Sequence, residues 1–464
     1  MSGSLNSILS VARSGMLAQQ RALQVTGNNI ANASTPGYSR QRAEMVPALA
    51  ITLPQGVLGT GVEVADVTRA RDFLLDATLR RDVASFESSS FQERELLRIE
   101  AVLAEPSDAG LASALNAFWD SWSDLANNPS NSSARAVVAS QGQQVVDFFN
   151  RAANSFGAIR ADLIDSVQVS VSEANRLIGE IADLNGPISA ATAAGQAAPD
   201  IEDRRDLLLD ELAALTEITV SPRAIGGIGV SINGISVVEG TIASRLDATF
   251  VGGSFSIQTG EGLAVAIADG SIGGAQRLLE VDLPAVENDL DELARGIVQR
   301  ANGIHTGGTT PLGTTNVLFF DDFGDAALVG AQNLQLSDDV LASLDNLAAG
   351  SGGPGGEYQS GANDVALALA ALRTDTTGGV LDGRSINDAY QELVTEIGVL
   401  AASAGSTSSG SEILVSAGVA RRQSVSGVST DEELVKIVQL QAAFSAAARI
   451  VSVVDEMYQT ILSI

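Results

Sequence analysis

Three sets of residues in this chain could carry chemistry by their type and spacing. Asp203, Asp206 and Asp210 recur at steps of three and four, which places three carboxylates on one side of a helix. Paired carboxylates do acid–base work when a second group shares the proton. No His, Lys or metal-partner pattern joins these three, so they read as a solvated helix face with local salt bridges. His305 is the only histidine and has no ligand or base partner in view, which predicts a hydrogen-bonded structural role. Asp321, Asp322 and Asp325 lack the alternating acids, central Gly and closing Glu of a calcium loop. Gly226-Gly227-Ile228-Gly229 lacks the Lys-Ser/Thr of a phosphate loop, and no helical pattern follows it. No catalytic, cofactor or metal site is therefore expected.

Composition narrows the function classes further. The 464 residues suffice for two to four domains. The formal net charge is −29 and Lys436 is the only lysine, so the chain has little cationic surface for nucleic acid or anionic membrane. The absence of Cys removes disulfide frameworks, thiolate zinc sites and Cys nucleophiles, and suits a protein exported unfolded. No apolar run is expected to reach membrane-spanning length, and the N-terminus lacks the basic-then-apolar pattern of a cleaved signal peptide. An acidic secreted enzyme would have one His, one Lys and no convergent carboxylates to work with.

The elements that position these residues begin at the two ends. Residues 429–464 read as one helix roughly 50 Å long. In it Ile437, Leu440, Phe444, Ala447, Val451, Val454, Tyr458 and Ile461 keep the heptad spacing of a helix that faces a partner. Thr430 with Glu433 fits a capping box. Residues 4–31 carry a matching stripe of Leu5, Leu9, Ala12, Met16, Leu23 and Ile30. The two seams either pair in a two-helix coil or pack into a multi-subunit tube; a C-terminal helix packed on its own core is the plainer alternative. The N-terminal stripe stops at Asn28-Asn29-Ile30-Ala31-Asn32, and Pro36-Gly37 forces a turn.

Between the ends, residues 40–70 suggest a short strand or extended linker. Helical stripes follow over 71–105 (closed by Pro106), at Leu111 to Leu125 with Trp119 and Trp122 as core, and from about 134 to 188. Residues 216–276 switch to period two, with Asn233-Gly234 as a two-residue hairpin turn, Gly252-Gly253 as a second turn and one more strand at Leu263 to Ile267. Helix resumes at about Pro284. Residues 306–360 are a loop or a subdomain, with a flexible Gly-rich stretch at Ser351 to Gly356. Helices at 365–372, 386–404 and 413–423 complete the body, with a break at Ser403 to Ser411.

Asn28-Asn29-Ile30-Ala31-Asn32 with Thr35-Pro36-Gly37-Tyr38-Ser39-Arg40-Gln41 resembles the N-terminal signature of flagellar axial proteins, the rod, hook and hook-associated proteins. Ser424-Val425-Ser426-Gly427-Val428, Asp431-Glu432-Glu433, Gln439, Gln441-Ala442-Ala443-Phe444, Ala448-Arg449-Ile450-Val451 and Met457 resemble the matching C-terminal end of the hook-associated protein 1 family, as does the acidic segment 203–212 in the body. Ser429-Thr430 departs from that pattern, which more often has Asn-Leu. The resemblance implies a mainly α chain with a β-rich insert, built in nested layers. Residues 1–35 and 428–464 would form a terminal coiled-coil layer. Residues 36–215, 277–305 and 361–427 would form a long-helix body, 216–276 a β-rich domain at the tip, and 306–360 a segment of open assignment. It further implies a secreted, extracellular structural subunit of the bacterial flagellum at the hook–filament junction, exported by the flagellar type III apparatus. Its partners would be copies of itself in a ring, the hook subunit, a second junction protein and an export chaperone at the C-terminal region, with no nucleic acid, membrane or cofactor. The terminal seams would be its assembly interface, and Asn28, Asn29, Asn32, Pro36, Gly37 and Tyr38 its signature turn. A plain hook or rod subunit is the nearer alternative.

Overall fold

A computed structural model describes residues 2–53, 56–103, 105, 107, 110–251, 254–377 and 380–463. Pro54, Pro106, Gly252-Gly253 and Ile464 lie outside these. The chain is mainly α with a β-rich insert and long terminal helices. α1 (Ser2–Ala31) leads into a two-stranded sheet of β1 (Gln41–Pro47) and β4 (Val62–Arg69), which carries a smaller hairpin, β2 (Ile51–Leu53) and β3 (Gly56–Leu58), between its strands. The expected short strand or linker at 40–70 is thus an antiparallel arm, bulged after Glu44.

The shaft of the molecule is helical. α2 (Phe73–Leu103), α3 (Leu111–Asn127), α4 (Ser132–Ala193) and α5 (Pro199–Leu215) follow in order. α4 is a single helix of 62 residues, about 93 Å long. Asn131 caps its start by accepting from Ser133 and Ala134. Its buried stripe of Val138, Val145, Phe149, Phe156, Leu163, Val167, Ala174, Leu177 and Ile181 is the spine of the core. Leu111, Leu115, Phe118, Trp122 and Leu125 of α3 pack into the same core. α5 takes in the acidic segment 203–212, with Pro199 at its first turn.

The insert holds β5 (Thr219–Pro222), β6 (Ile228–Ile232), β7 (Ile235–Glu239) and β8 (Ile242–Ala243) in sequential antiparallel order, and a separate hairpin of β9 (Leu246–Val251) and β10 (Ser254–Thr259). Asn233 and Gly234 both have positive φ, 46° and 80°, as the predicted two-residue turn requires. The strand expected at Leu263 to Ile267 is a single bridge, Gln258 to Ala264. Two asparagines of α4 peg this region. Asn175 donates to the Leu246 carbonyl and accepts from its amide, both at 2.7 Å; Asn185 donates to the carbonyls of Ile228 and Gly240. The insert therefore flanks the C-terminal third of α4 rather than capping the tip. Its last residues are helical too: α6 (Gly270–Arg277) and one π-helical turn (Leu278–Asp282) run into α7 (Leu283–His305). Gly274 permits this, because a Cβ there would stand 2.6 Å from the Ser88 carbonyl of α2.

The far end of α4 is covered by residues 306–377, which include α8 (Asp338–Ala342) and α9 (Asp364–Ala371). This stretch is no floppy loop. Phe319, Phe320, Leu334, Leu336 and Leu347 join the core. The final helices are α10 (Ile386–Ser426) and α11 (Thr430–Leu462). α10 runs antiparallel to α2: Tyr390 reaches Glu105 just past the end of α2, while Gly418 faces Leu79 near its start. The expected break at Ser403 to Ser411 does not occur. Ala404, Ser408 and Ser411 are buried, and their small size lets α10 approach α2 closely, with Ser85 and Ser411 hydroxyls 3.4 Å apart.

His305 and Asn302 pin the 306–350 stretch to α7. Asn302 donates to the Phe320 carbonyl and accepts from the Phe319 and Phe320 amides at 2.9 and 3.0 Å. His305 Nδ1 lies 2.7 Å from the Val317 carbonyl, and its Nε2 accepts from the Ala348 amide at 3.0 Å. Both contacts fit one neutral tautomer, and burial holds the ring neutral, with its pKa down to about 4. The unfolded chain takes up this proton first as pH falls below 6.5, and the folded chain only near pH 4. Stability therefore falls with pH across that window, by about 3 kcal/mol for this group. His305→Gln removes the titration. Denaturant midpoints of both proteins between pH 7 and 4.5 should show the wild-type advantage shrinking; a constant difference would contradict the assignment.

Candidate functional site: the root of the terminal helices

The signature turn and the start of α11 meet at a buried polar joint. Thr35-Pro36-Gly37-Tyr38 is a β-turn closed by the Tyr38 amide on the Thr35 carbonyl at 3.2 Å. Pro36 presets its second position, and Gly37 at φ 77° supplies the left-handed third. Asn32 donates back to the Asn28 carbonyl and side chain. The turn aims Tyr38 at Asn29, which is fully buried. Asn29 satisfies all its capacity there. It donates to the Gln41 carbonyl at 2.9 Å and to Glu433 Oε2 at 3.0 Å, and accepts from the Gln41 amide and the Tyr38 hydroxyl, both at 2.9 Å. Burial, with Asp200, Asp203 and Glu433 nearby, holds the Tyr38 phenol well above its ordinary pKa, so it remains a donor.

Glu433 is the C-terminal half of this joint. It is 0% exposed and accepts from Arg40 Nε at 2.7 Å as well as from Asn29. Arg40 also reaches Glu432 at 2.9 Å, and its amide donates to the Ser426 carbonyl. The predicted capping box is corrected accordingly. Ser429, not Thr430, caps α11, and Glu433 is drawn off the cap into the joint.

Below the joint, Asp203 of α5 is buried and Asp206 and Asp210 are half-buried and paired with guanidiniums from other elements, which overturns the reading of a solvated face. Asp203 accepts from the Ser39 amide at 2.9 Å and from Arg69 at 2.8 Å. Arg69 also binds Asp206 and Glu202, both at 2.7 Å. Arg71 pairs with Asp76 at 2.7 Å and lies 3.4 Å from Asp206. Asp210 takes Arg80 of α2 at 2.7 Å and Arg422 of α10 at 2.6 Å. Burial alone would raise Asp206, but Arg71, Arg69 and Arg80 outweigh it and hold the carboxyl below its usual range. Such a network adds little net stability over apolar packing, yet breaking one member strands a buried charge. It fixes geometry: α2, α5, α10 and the arm meet at one set of forked guanidiniums. Arg69, Arg71, Arg80 and Arg422 were not singled out from the sequence, and Glu433 was read there only as part of a cap. Their one visible signal is the crowding of Arg69 with Arg71 and Arg80 with Arg81 in a chain so short of cations.

From this root α1 and α11 run side by side. Asn29 meets Glu433, Gly15 faces Ala447, and Tyr458 donates to Asn6 at 2.8 Å, so the pair is antiparallel. Leu5, Ala12 and Val454 are buried; Leu9, Met16, Leu23, Ile30, Ile437, Leu440, Phe444, Ala447, Val451 and Tyr458 are half-buried; Ile461 is exposed. Ala18, Ala22 and Val25 of α1 are also buried. A second apolar surface is exposed on α11 outside the seam: Val435, Val438 and Val453 lie on its outer side, and Ile450, Met457 and Leu462 at the seam's flanks. Within Ile386–Leu462 an 18-residue window reaches a mean hydropathy of 1.6, with only 6% of it buried. The expectation that no run is long and apolar enough to span a membrane is corrected to that extent.

A cleft of about 790 Å³ separates α1 and β4 from the α4–α5 turn, lined by polar residues such as Arg21, Gln24, Asp66 and Asp200. Among the described residues no group of His, Cys, Asp and Glu is placed to hold a metal. The arrangement is that of a mechanical joint.

Comparison with known proteins agrees with this geometry. The family described as flagellar hook-associated protein FlgK helical domain matches residues 96–320. The flagella basal body rod protein family matches 9–38, and the flagellar basal body rod FlgEFG protein C-terminal family matches 421–464. Flagellar hook-associated protein 1 of Bacillus subtilis is 30% identical, covering 98% of this chain and 97% of that protein. The Escherichia coli protein of the same name is 25% identical over 99% of this chain and 100% of its own. The solved flagellar hook junction protein FlgK from Burkholderia pseudomallei shares the fold, with TM-score 0.66 and 15% identity over 75% of this chain and 100% of that one.

The joint makes a local prediction. Glu433→Ala takes away one of Arg40's two carboxylate partners and leaves one Asn29 proton buried without a partner, and should speed amide exchange over residues 430–436 by about tenfold or more, equivalent to about 1.4 kcal/mol. Exchange in the middle of α4 should not change. Unaltered exchange at 430–436 would show that the joint does not anchor α11.

Proposed function

We infer that this chain, which belongs to the flagellar hook-associated protein 1 family, builds the hook–filament junction through the outward face of its paired terminal helices. It is a structural subunit of the bacterial flagellum and not an enzyme. The observation that carries the inferred role of the terminal helices is the exposed stripe on α11, with Val435 59% and Val438 65% accessible. A helix that keeps such a stripe in water is held for a partner. A protein partner suits it better than a lipid one, because Gln439, Gln441 and Arg449 interrupt the apolar run. The seam residues named above hold α1 to α11, and the outer stripe meets neighbouring subunits.

The partners on this reading are copies of the same chain in a ring, the hook subunit on one side and a second junction protein on the other. Contacts that do not close on a dimer generate such a ring. The subunit is secreted unfolded through the flagellar type III apparatus and works outside the cell. An export chaperone covering the C-terminal region would shield the same stripe before assembly. In the free chain the helix pair is latched at Glu433 and frays toward its far ends, so ordering those ends accompanies assembly. A plain hook or rod subunit shares only the terminal segments; the helical-domain match and the full-length relatives favour the junction.

Two substitutions separate the roles of the two faces. Phe444→Asp sits in the seam and should both unpair α11 from α1 and abolish incorporation into isolated hook–basal bodies. Val438→Asp sits outside it and should block incorporation while amide exchange of α1 stays as in the wild type. Normal filament attachment in a Val438→Asp strain would overturn the proposed interface.

A further inference from the structure

The β2–β3 arm is the second exposed apolar feature of the terminal layer. Leu49 is 89%, Ile51 55% and Leu58 43% accessible. β2 and β3 pair only with each other among the described strands, and a lone two-stranded hairpin is marginal in water. The arm is also electrically blank. Residues 45–62 contain no charged side chain, in a chain with 56 acids and a net charge of −29. On α11 a matching uncharged stretch faces solvent: residues 437–448, between Lys436 and Arg449, where Val438, Ala442 and Ala446 point outward.

These two surfaces sit on different sides of one chain. Ser14 of α1 accepts from the Val62 amide at the base of the arm, while Gly15 faces Ala447 of α11. Consecutive helix positions are 100° apart, so the arm and α11 occupy different faces of α1, and Val438, Ala442 and Ala446 of α11 stay exposed rather than packed on α1. Copies carrying −29 each repel one another. They approach most easily where neither presents charge. An arm on one side and a complementary helix face on the other form a heterologous pair of surfaces that repeats around a ring.

We propose that the β2–β3 arm of one copy lies on the uncharged 437–448 stretch of α11 in a neighbouring copy. Leu49, Ile51 and Leu58 then cover Val438, Ala442 and Ala446. This deepens the reading of the outer stripe as an assembly surface and rests on it.

The absence of Cys makes the test clean. Leu49→Cys and Ala442→Cys variants, each with one thiol, are co-expressed so that both enter the same junctions. Hook–basal bodies are isolated and oxidised with copper phenanthroline. The expected product is a disulfide-linked dimer of the two variants, absent from the same mixture as free monomers. Assembled junctions without that dimer, or with Leu49 linked to a different flagellar subunit, overturn the proposal. As a second arm, Ile51→Asp should reduce incorporation about tenfold or more with unchanged melting of the shaft; normal incorporation overturns it. If Val438→Asp is blocked while the cross-link fails, the arm alone is wrong. If Val438→Asp assembles normally, the stripe itself is wrong.

Discussion

Glu433 is the contact on which the architecture of the ends depends. It is a carboxylate without solvent access, held by Arg40 and Asn29. Glu433 lies more than 390 positions along the sequence from both Asn29, near the end of α1, and Arg40, after the turn that follows it. A buried carboxylate of this kind tolerates one geometry, because any slip leaves it unpaired in a low dielectric. It therefore sets the register of α1 against α11, from which the 15-to-447 and 6-to-458 contacts follow. The apolar seam could slide by a heptad at modest cost; Glu433 forbids it.

The same logic repeats down the root. Asp203, Asp206 and Asp210 each receive guanidiniums from outside their own helix, so α5 acts as an acidic plug against which the arm, α2 and α10 are clamped. The forks of Arg69 and Arg80 are planar and directional. A joint built this way transmits orientation from the terminal layer to the 62-residue spine, which an apolar contact of equal area would do less strictly. Stiffness of attachment is the property a junction between two tubes requires.

Much of this was legible in the sequence. The two seams, the Asn233-Gly234 hairpin, the α3 stripe and the structural histidine depend on short-range periodicity or on the poverty of alternatives. What was not legible depends on distant partners. The acids of α5 look like a solvated face because their Arg partners lie on β4, α2 and α10. Glu433 fits a capping box locally and is diverted by a tertiary bond. Ser403 to Ser411 looks like a break until α2 is placed beside it, and then small residues become the means of close packing.

The β insert shows the same limit in its placement. Nested termini suggested that the middle of the chain forms the tip. The geometry is instead set by α4: a helix about 93 Å long that returns through α5 must bring whatever follows back to its own C-terminal end. Asn175 and Asn185 fasten the insert there, and the chain then travels up α7 to cover the opposite end with residues 306–377. The insert is thus placed laterally, near the level of the joint rather than beyond the shaft. Order along the chain predicts layers only when each segment is shorter than the layer it crosses, and α4 is not.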